Sequence, residues 1–186
     1  MSGCEIRFAG AGGQGLQLCA KLLSAALARE GRIVAATQAY EPTSRGGLSR
    51  SDMVVSTDGA ADYPLVTALD YLVILDQTAV AASEPLLRDG TLVLADARRV
   101  TAPPKGGKGK TCDLRRLPFS EAAIRLGSER VANVIALSAL VGMTGLCSRE
   151  GLEQAVRGGT PAKLLDRNLD ALREGFAMAD NRAEVA

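Results

Sequence analysis

The chain has 186 residues, enough for one hydrophobic core and short of the length at which cores usually divide, so residues 1–186 are read as a single domain. Its 22 basic residues stand against 21 acidic ones, a net charge of +1, which argues against nucleic acid as a partner because binders of polyanions carry a basic excess. Apolar residues make up 47% with no Trp and 3% aromatics, so the core must be built from Ala, Leu and Val, as in close helix-on-sheet packing.

The four cysteines, Cys4, Cys19, Cys112 and Cys147, form no C-x-x-C pair, and their spacing suits neither zinc nor an iron–sulfur cluster. Histidine is absent, which removes the commonest metal ligand and general base, so no metal site is expected. Free thiols in a reducing cytoplasm are the expectation. The N-terminus lacks the basic and apolar regions of a signal peptide, and no apolar run reaches a membrane-spanning length. A cytoplasmic chain that does not enter membranes is therefore expected.

In chain order, Glu5–Ala9 reads as a first strand, residues 10–15 as a Gly-rich turn, and Leu16–Glu30 as a helix with apolar positions at helical spacing and Gly31 just past its end. Ile33–Ala36 is a second strand, so the chain opens like a βαβ unit. A polar loop (Ala39–Leu48) precedes a strand at Ser51–Ser56, and Asp58–Gly59 marks a turn. Leu72–Leu75 and Thr91–Ala95 read as buried parallel strands, with a helix at Ser83–Arg88 and a turn at Asp89–Gly90 between them. Pro103–Lys110 is a loop or hairpin tip. Helical spacing then dominates: Ser120–Leu126, Asn133–Gly142, Arg149–Val156 with Ser148 as N-cap, and Ala162–Met178. The expected fold class is α/β: a three-layer α/β/α domain with a mostly parallel, Rossmann-like sheet and helices concentrated at the C-terminal end.

Gly10-Ala11-Gly12-Gly13-Gln14-Gly15 satisfies G-x-G-x-x-G between a strand and a helix, the context of a dinucleotide site. Against that reading, Ala35-Ala36-Thr37-Gln38 supplies neither the acid that would hold a ribose hydroxyl nor an Arg for a 2′-phosphate. A tight packing turn, and a turn contacting a ligand or partner subunit, remain alongside it. The segment Thr37–Arg50 packs Tyr40, Pro42, Arg45, Gly46, Gly47, Ser49 and Arg50 into a short stretch beside the turn, a donor set suited to carboxylate or phosphate. Asp76 and Asp96 each follow a buried strand, as ligand-edge residues or as caps. The apolar helix Val134–Val141 is either central core or a face covered by a partner, and in the second case would drive self-association of the isolated chain as a homodimer.

The order GAGGQG, TQAYEPTSRGGLSRSDMVVS, DYPLVTALDYLVILDQ, then the stretches Arg130–Leu140 and Lys163–Leu169, resembles the gamma subunit of 2-oxoacid:ferredoxin (acceptor) oxidoreductases over nearly the whole chain, most closely the 2-oxoglutarate type. The resemblance implies a complex that oxidatively decarboxylates a 2-oxoacid with coenzyme A to an acyl-CoA and CO2. Electrons would pass to ferredoxin or a similar acceptor. Thiamine diphosphate, Mg2+ and iron–sulfur clusters are expected on partner subunits, with no cofactor bound by this chain alone. The implied partners are alpha and beta subunits, with a ferredoxin-like delta subunit as a further candidate. Carried over, Gly12, Gly13, Gln14 and Gly15 form the family's turn, and Thr37, Gln38, Tyr40, Pro42, Arg45, Gly46, Gly47, Ser49 and Arg50 a partner- or ligand-facing loop. None is assigned a catalytic role. Lys105, Lys108 and Lys110 could meet CoA phosphates, though a solvated tip is the preferred reading. A stand-alone dinucleotide-binding protein and a purely structural scaffold stay open as alternatives.

Overall fold

The computed structural model describes residues 3–41, 46–56, 65–105 and 111–183. Six strands, β1 (Cys4–Ala11), β2 (Ile33–Tyr40), β3 (Leu48–Ser56), β4 (Leu69–Ile74), β5 (Leu87–Asp96) and β6 (Asp113–Leu117), form one sheet in the order β2-β3-β1-β4-β5-β6. β3 is antiparallel to both neighbours, and the pairings of β1, β4, β5 and β6 are parallel, so β3 alone runs against the rest. The helices are α1 (Leu16–Arg29), α2 (Val80–Ser83), α3 (Phe119–Arg125), α4 (Ala132–Thr144), α5 (Arg149–Gly159) and α6 (Ala162–Ala183).

Strand alternation divides the interior into two cores. Ile6, Phe8, Val73 and Leu94 project to the side covered by α1 and α3–α6, while Ala9, Leu72, Ile74, Val93 and Ala95 project to the side covered by the thin layer around α2. Three layers and a mostly parallel sheet result, with the C-terminal helices forming most of the thick layer. α4 lies at its centre, every residue from Ala132 to Val141 being buried. The apolar helix is therefore core, not a sticky surface, and self-association cannot run through it. α6 packs closely on α4 because Gly175 has no side chain; a Cβ there would collide with Ser138 Oγ and the Ile135 carbonyl.

Four expectations are corrected. The second strand does not sit beside the first: β3 lies between them, and β2 is an edge. The strand extends to Tyr40, because its ladder with β3 continues from Ile33↔Ser56 to Tyr40↔Ser49. The expected helix at Ser83–Arg88 ends early. The helical run covers Gln77–Leu86 as α2 flanked by two 3-10 turns, Pro85 sits in the second, and buried Leu87 already belongs to β5. β6 was not anticipated, since Asp113-Leu114-Arg115-Arg116-Leu117 carries too many charges to read as a buried strand. It is an exposed edge. Asp58–Gly59 lies outside the described residues.

Candidate functional site

The carboxyl ends of β1, β4 and β5 meet at one sheet edge, where open α/β sheets bind ligands. The Gly-rich turn crosses it. Gln14 Oε1 accepts from Ala11 N–H (2.8 Å) while its Nε2 donates to the Leu75 carbonyl (3.1 Å), so one amide ties the ends of β1 and β4. Gly13 and Gly15 have φ of 94° and 74°. At Gly15 the requirement is double: a Cβ would also strike Asn133 Nδ2, which donates to the Gly15 carbonyl at 3.0 Å. α1 thus begins with no side-chain cap and no acidic residue in its first turn, leaving the positive end of its dipole available to an anion.

Two cavities flank this turn. One, of about 280 Å³, is bounded by Gly12, Gly13, Gln14, Arg99, Glu129 and Arg130. The other, of about 360 Å³, is bounded by Gly13, Gly15, Arg130, Asn133, Arg167 and Asn168. Arg130 belongs to both walls. Arg99 is engaged: Glu129 Oε1 accepts from its Nε (3.0 Å) and Nη2 (2.6 Å), and Asp76 lies 3.5 Å from Nη1. The hydrogen bond to Glu129 raises the Arg99 pKa further above its ordinary value. The side chains of Arg130 and Arg167 make no hydrogen bond or ion pair among the described residues. Two such guanidiniums beside a helix start with no side-chain cap supply the charge and donors that an anionic group would need.

The two strand-end aspartates are structural. Asp76 accepts from Thr78 N–H at 3.1 Å and caps the turn after β4. Asp96 is fully buried; its Oδ1 accepts from Arg98 N–H (2.9 Å) and Arg99 N–H (2.8 Å), its Oδ2 from Ser120 N–H (2.6 Å) and Ser120 Oγ–H (2.5 Å). That anchors the segment from which Arg99 reaches the cavity.

Of the residues singled out from sequence, Gly12, Gly13, Gln14 and Gly15 line these cavities. Gly46 and Gly47 lie against them, Gly12 N–H donating to the Gly47 carbonyl at 2.9 Å. That contact, with β3 inserted between β1 and β2, takes up the second glycine's N–H and moves the end of β2 away from where a dinucleotide ribose would be held. The remaining residues are not one loop. Thr37, Gln38 and Tyr40 are on β2, Ser49 and Arg50 on β3, and the two-residue period separates them. Gln38, Tyr40 and Ser49 share the face of Met53 and Val55, toward α1. Thr37 and Arg50 are on the opposite face, where with Arg7 and Asp52 they border a cavity of about 480 Å³. Arg7, only 2% exposed, forms a bidentate pair with Asp52 (2.7 Å to each oxygen) and donates to the Ala82 carbonyl at 2.9 Å. Pro42, Arg45, Lys108 and Lys110 lie outside the described residues.

Arg99, Glu129, Arg130, Asn133 and Arg167 were not singled out as site residues. The strand-end rule could have pointed to Arg99, three residues past β5. Arg130 and Arg167 lie in two stretches that carried the family resemblance, but they come from separate helical segments and nothing in the sequence showed that they meet at one cavity.

Burial governs three of the thiols, and at Cys4 it outweighs the lowering effect of Arg32 and Arg88. Burial pushes Cys4 up to about 11, and Cys19 and Cys147 each up to about 12. No group of three or more Cys, Asp or Glu is placed to hold a metal among the described residues, and no described helix is long and apolar enough to cross a membrane.

The fold is a three-layer α/β domain with a Gly-rich turn, flanked by two cavities, at the carboxyl edge of its sheet. The chain belongs to the pyruvate ferredoxin/flavodoxin oxidoreductase family, whose model matches residues 5–178. It is 37% identical over 175 residues to the 2-oxoglutarate synthase subunit KorC of Archaeoglobus fulgidus, covering 94% of this chain and 87% of that one. To KorC of Methanocaldococcus jannaschii it is 34% identical over 181 residues, covering 94% and 93%. Among solved structures, it is similar to the gamma subunit of a keto/oxoacid ferredoxin oxidoreductase from Geobacter sulfurreducens, with TM-score 0.82, 34% identity, and 96% and 97% coverage. The resemblance read from the motifs and the fold class read from the pattern both agree with these relatives.

Proposed function

We propose that this chain is the gamma subunit of a multi-subunit 2-oxoacid:ferredoxin oxidoreductase, of the 2-oxoglutarate type, and that it forms the CoA-facing wall of the shared active site. The complex converts a 2-oxoacid, CoA and oxidised ferredoxin to acyl-CoA, CO2 and reduced ferredoxin. Alpha and beta subunits, and a ferredoxin-like delta subunit, are the proposed partners, and the cytoplasm the proposed location. The observation that supports the site assignment is the pairing of uncommitted Arg130 and Arg167 with the uncapped start of α1. CoA presents phosphates, and this arrangement suits them.

The four dispersed cysteines do not fit an iron–sulfur cluster, and no three Cys, Asp or Glu side chains are grouped among the described residues to hold a metal such as the magnesium of thiamine diphosphate. Thiamine diphosphate would supply carbanion stabilisation on the partner subunits. The role of this chain's own residues is to bind and orient: Gln14 holds the turn in shape, Arg130 and Arg167 hold phosphate, and the turn excludes water from one side.

Assembled complex carrying Arg130→Ala or Arg167→Ala tests this. Losing one charge-assisted contact, worth about 1.5–3 kcal/mol, raises the KM for CoA roughly tenfold or more, with the KM for the 2-oxoacid unchanged. Unchanged kinetics for both variants in an intact complex would instead favour a scaffold role.

A further inference from the structure

The two edges of the sheet are built differently. β6 is five residues long, and three of them, Asp113, Arg115 and Arg116, are charged. Charges and shortness are the usual protection against pairing with another chain. β2 is eight residues of Ile33-Val34-Ala35-Ala36-Thr37-Gln38-Ala39-Tyr40, with no charge and no proline. Its ladder to β3 runs through all eight positions in register, so no bulge turns the edge away. Residues 36–40 are all exposed, and two of the large exposed apolar residues, Ile33 at 45% and Tyr40 at 70%, stand at its ends.

The phase of the free edge can be read from the ladder. Glu41 N–H donates to the Leu48 carbonyl (2.9 Å), one step beyond the Tyr40↔Ser49 pair. Odd-numbered residues of β2 therefore direct their backbone groups at β3. Val34, Ala36, Gln38 and Tyr40 direct theirs outward, in register with one another, where no strand among the described residues pairs with them. Just before the strand, Arg32 has a buried Nε without a hydrogen-bond partner among the described residues.

We propose that β2 is a self-complementary docking edge, and that its occupant is β2 of a second copy of this chain, antiparallel about a two-fold axis at Ala36. Centring the axis there pairs Ala36 with itself, Val34 with Gln38, and Arg32 with Tyr40 of the other copy. Arg32 N–H already donates to the Leu27 carbonyl at 3.0 Å, so each Arg32–Tyr40 pair adds one bond, from Tyr40 N–H to the Arg32 carbonyl, and the seam makes about eight hydrogen bonds in all. Opposed residues in antiparallel strands share a face, so the ring of each Tyr40 lies over the Arg32 side chain across the axis, a cation–π arrangement. The strand has no charge to repel its copy, and a two-fold contact needs only that one patch match itself. The result is one twelve-stranded sheet spanning two protomers. It goes beyond the proposed catalytic role and does not depend on it.

Full-length chain is examined by sedimentation equilibrium across the micromolar range, as wild type, Ala36→Lys and Ala36→Glu. Ala36 is exposed, so both variants should keep the wild-type circular dichroism. Wild type is expected to reach twice its 19.3 kDa mass. Either variant places like charges directly opposite at the axis and should weaken the dimer about tenfold or more, while mixing the two restores it. Hydrogen exchange on wild type gives a second reading that needs no variant. The amides of Val34, Ala36, Gln38 and Tyr40 should be protected only at high concentration, and those of Ala35, Thr37 and Ala39 at every concentration. Wild type that stays monomeric with those outward amides exchanging freely, including the case in which another subunit covers the strand in the complex, overturns the proposal. So does a dimer that survives Ala36→Lys, or a mixture that fails to associate.

Discussion

Gln14→Ala isolates the bond that shapes the turn. The amide makes two hydrogen bonds, from Ala11 N–H at 2.8 Å and to the Leu75 carbonyl at 3.1 Å, both partly buried. At about 1 kcal/mol net for each, with a further penalty for leaving Ala11 N–H without its partner, the expected loss is about 2–3 kcal/mol. For a domain of this size that corresponds to a fall in Tm of about 4–12 °C, measured by thermal denaturation of the isolated chain. Gln14→Met separates bonding from packing, because it fills a similar volume and restores neither bond. It should lose nearly as much as Gln14→Ala. Recovery of wild-type stability by Met would refute the bridging role and leave Gln14 as a space-filling residue.

Breaking the buried Arg7–Asp52 pair from one side, by Arg7→Met or Asp52→Asn, should cost about 3–5 kcal/mol. The double variant Arg7→Met/Asp52→Leu should cost far less than the sum, and additive losses in urea denaturation would contradict the pairing. Asp96→Asn puts an amide donor against the Ser120 and Arg98–Arg99 donors, with an expected loss of about 2–4 kcal/mol; an unchanged urea midpoint would show that the four bonds are dispensable. The pKa values of Cys4, Cys19 and Cys147 are raised by burial, so the folded state favours these three as neutral thiols. Their contribution to stability is complete below the unfolded value of 9.0 and declines as pH rises from there toward about 11–12. Cys19 should resist thiol reagents at pH 8 until denaturant is added, and its rapid labelling in the native chain would contradict its burial.

The turn could be read from the chain alone because its needs are local. Glycines at positive φ between an apolar strand and an amphipathic helix mark themselves within a few residues. The buried strands β4 and β5 and the C-terminal helices were legible for the same reason, through continuous apolar runs and helical spacing. Ser148 was legible as a cap, its Oγ accepting from Gly151 N–H at 3.0 Å. Strand order was not local. That β3 reverses and inserts between β1 and β2 depends on pairing across the sheet, and it turned an apparent loop, Thr37–Arg50, into two strands whose side chains part to opposite faces. The same insertion left β2 as an open edge. Arg130 and Arg167 sit 37 positions apart along the chain, and only the packing of α4 against α6 brings them to the start of α1. Periodicity and turn chemistry thus determined the elements and the turn, since each is decided by neighbours in sequence. Which cations face that turn, and which strand edge remains free, was decided by contacts between segments far apart, which only the folded chain brings together.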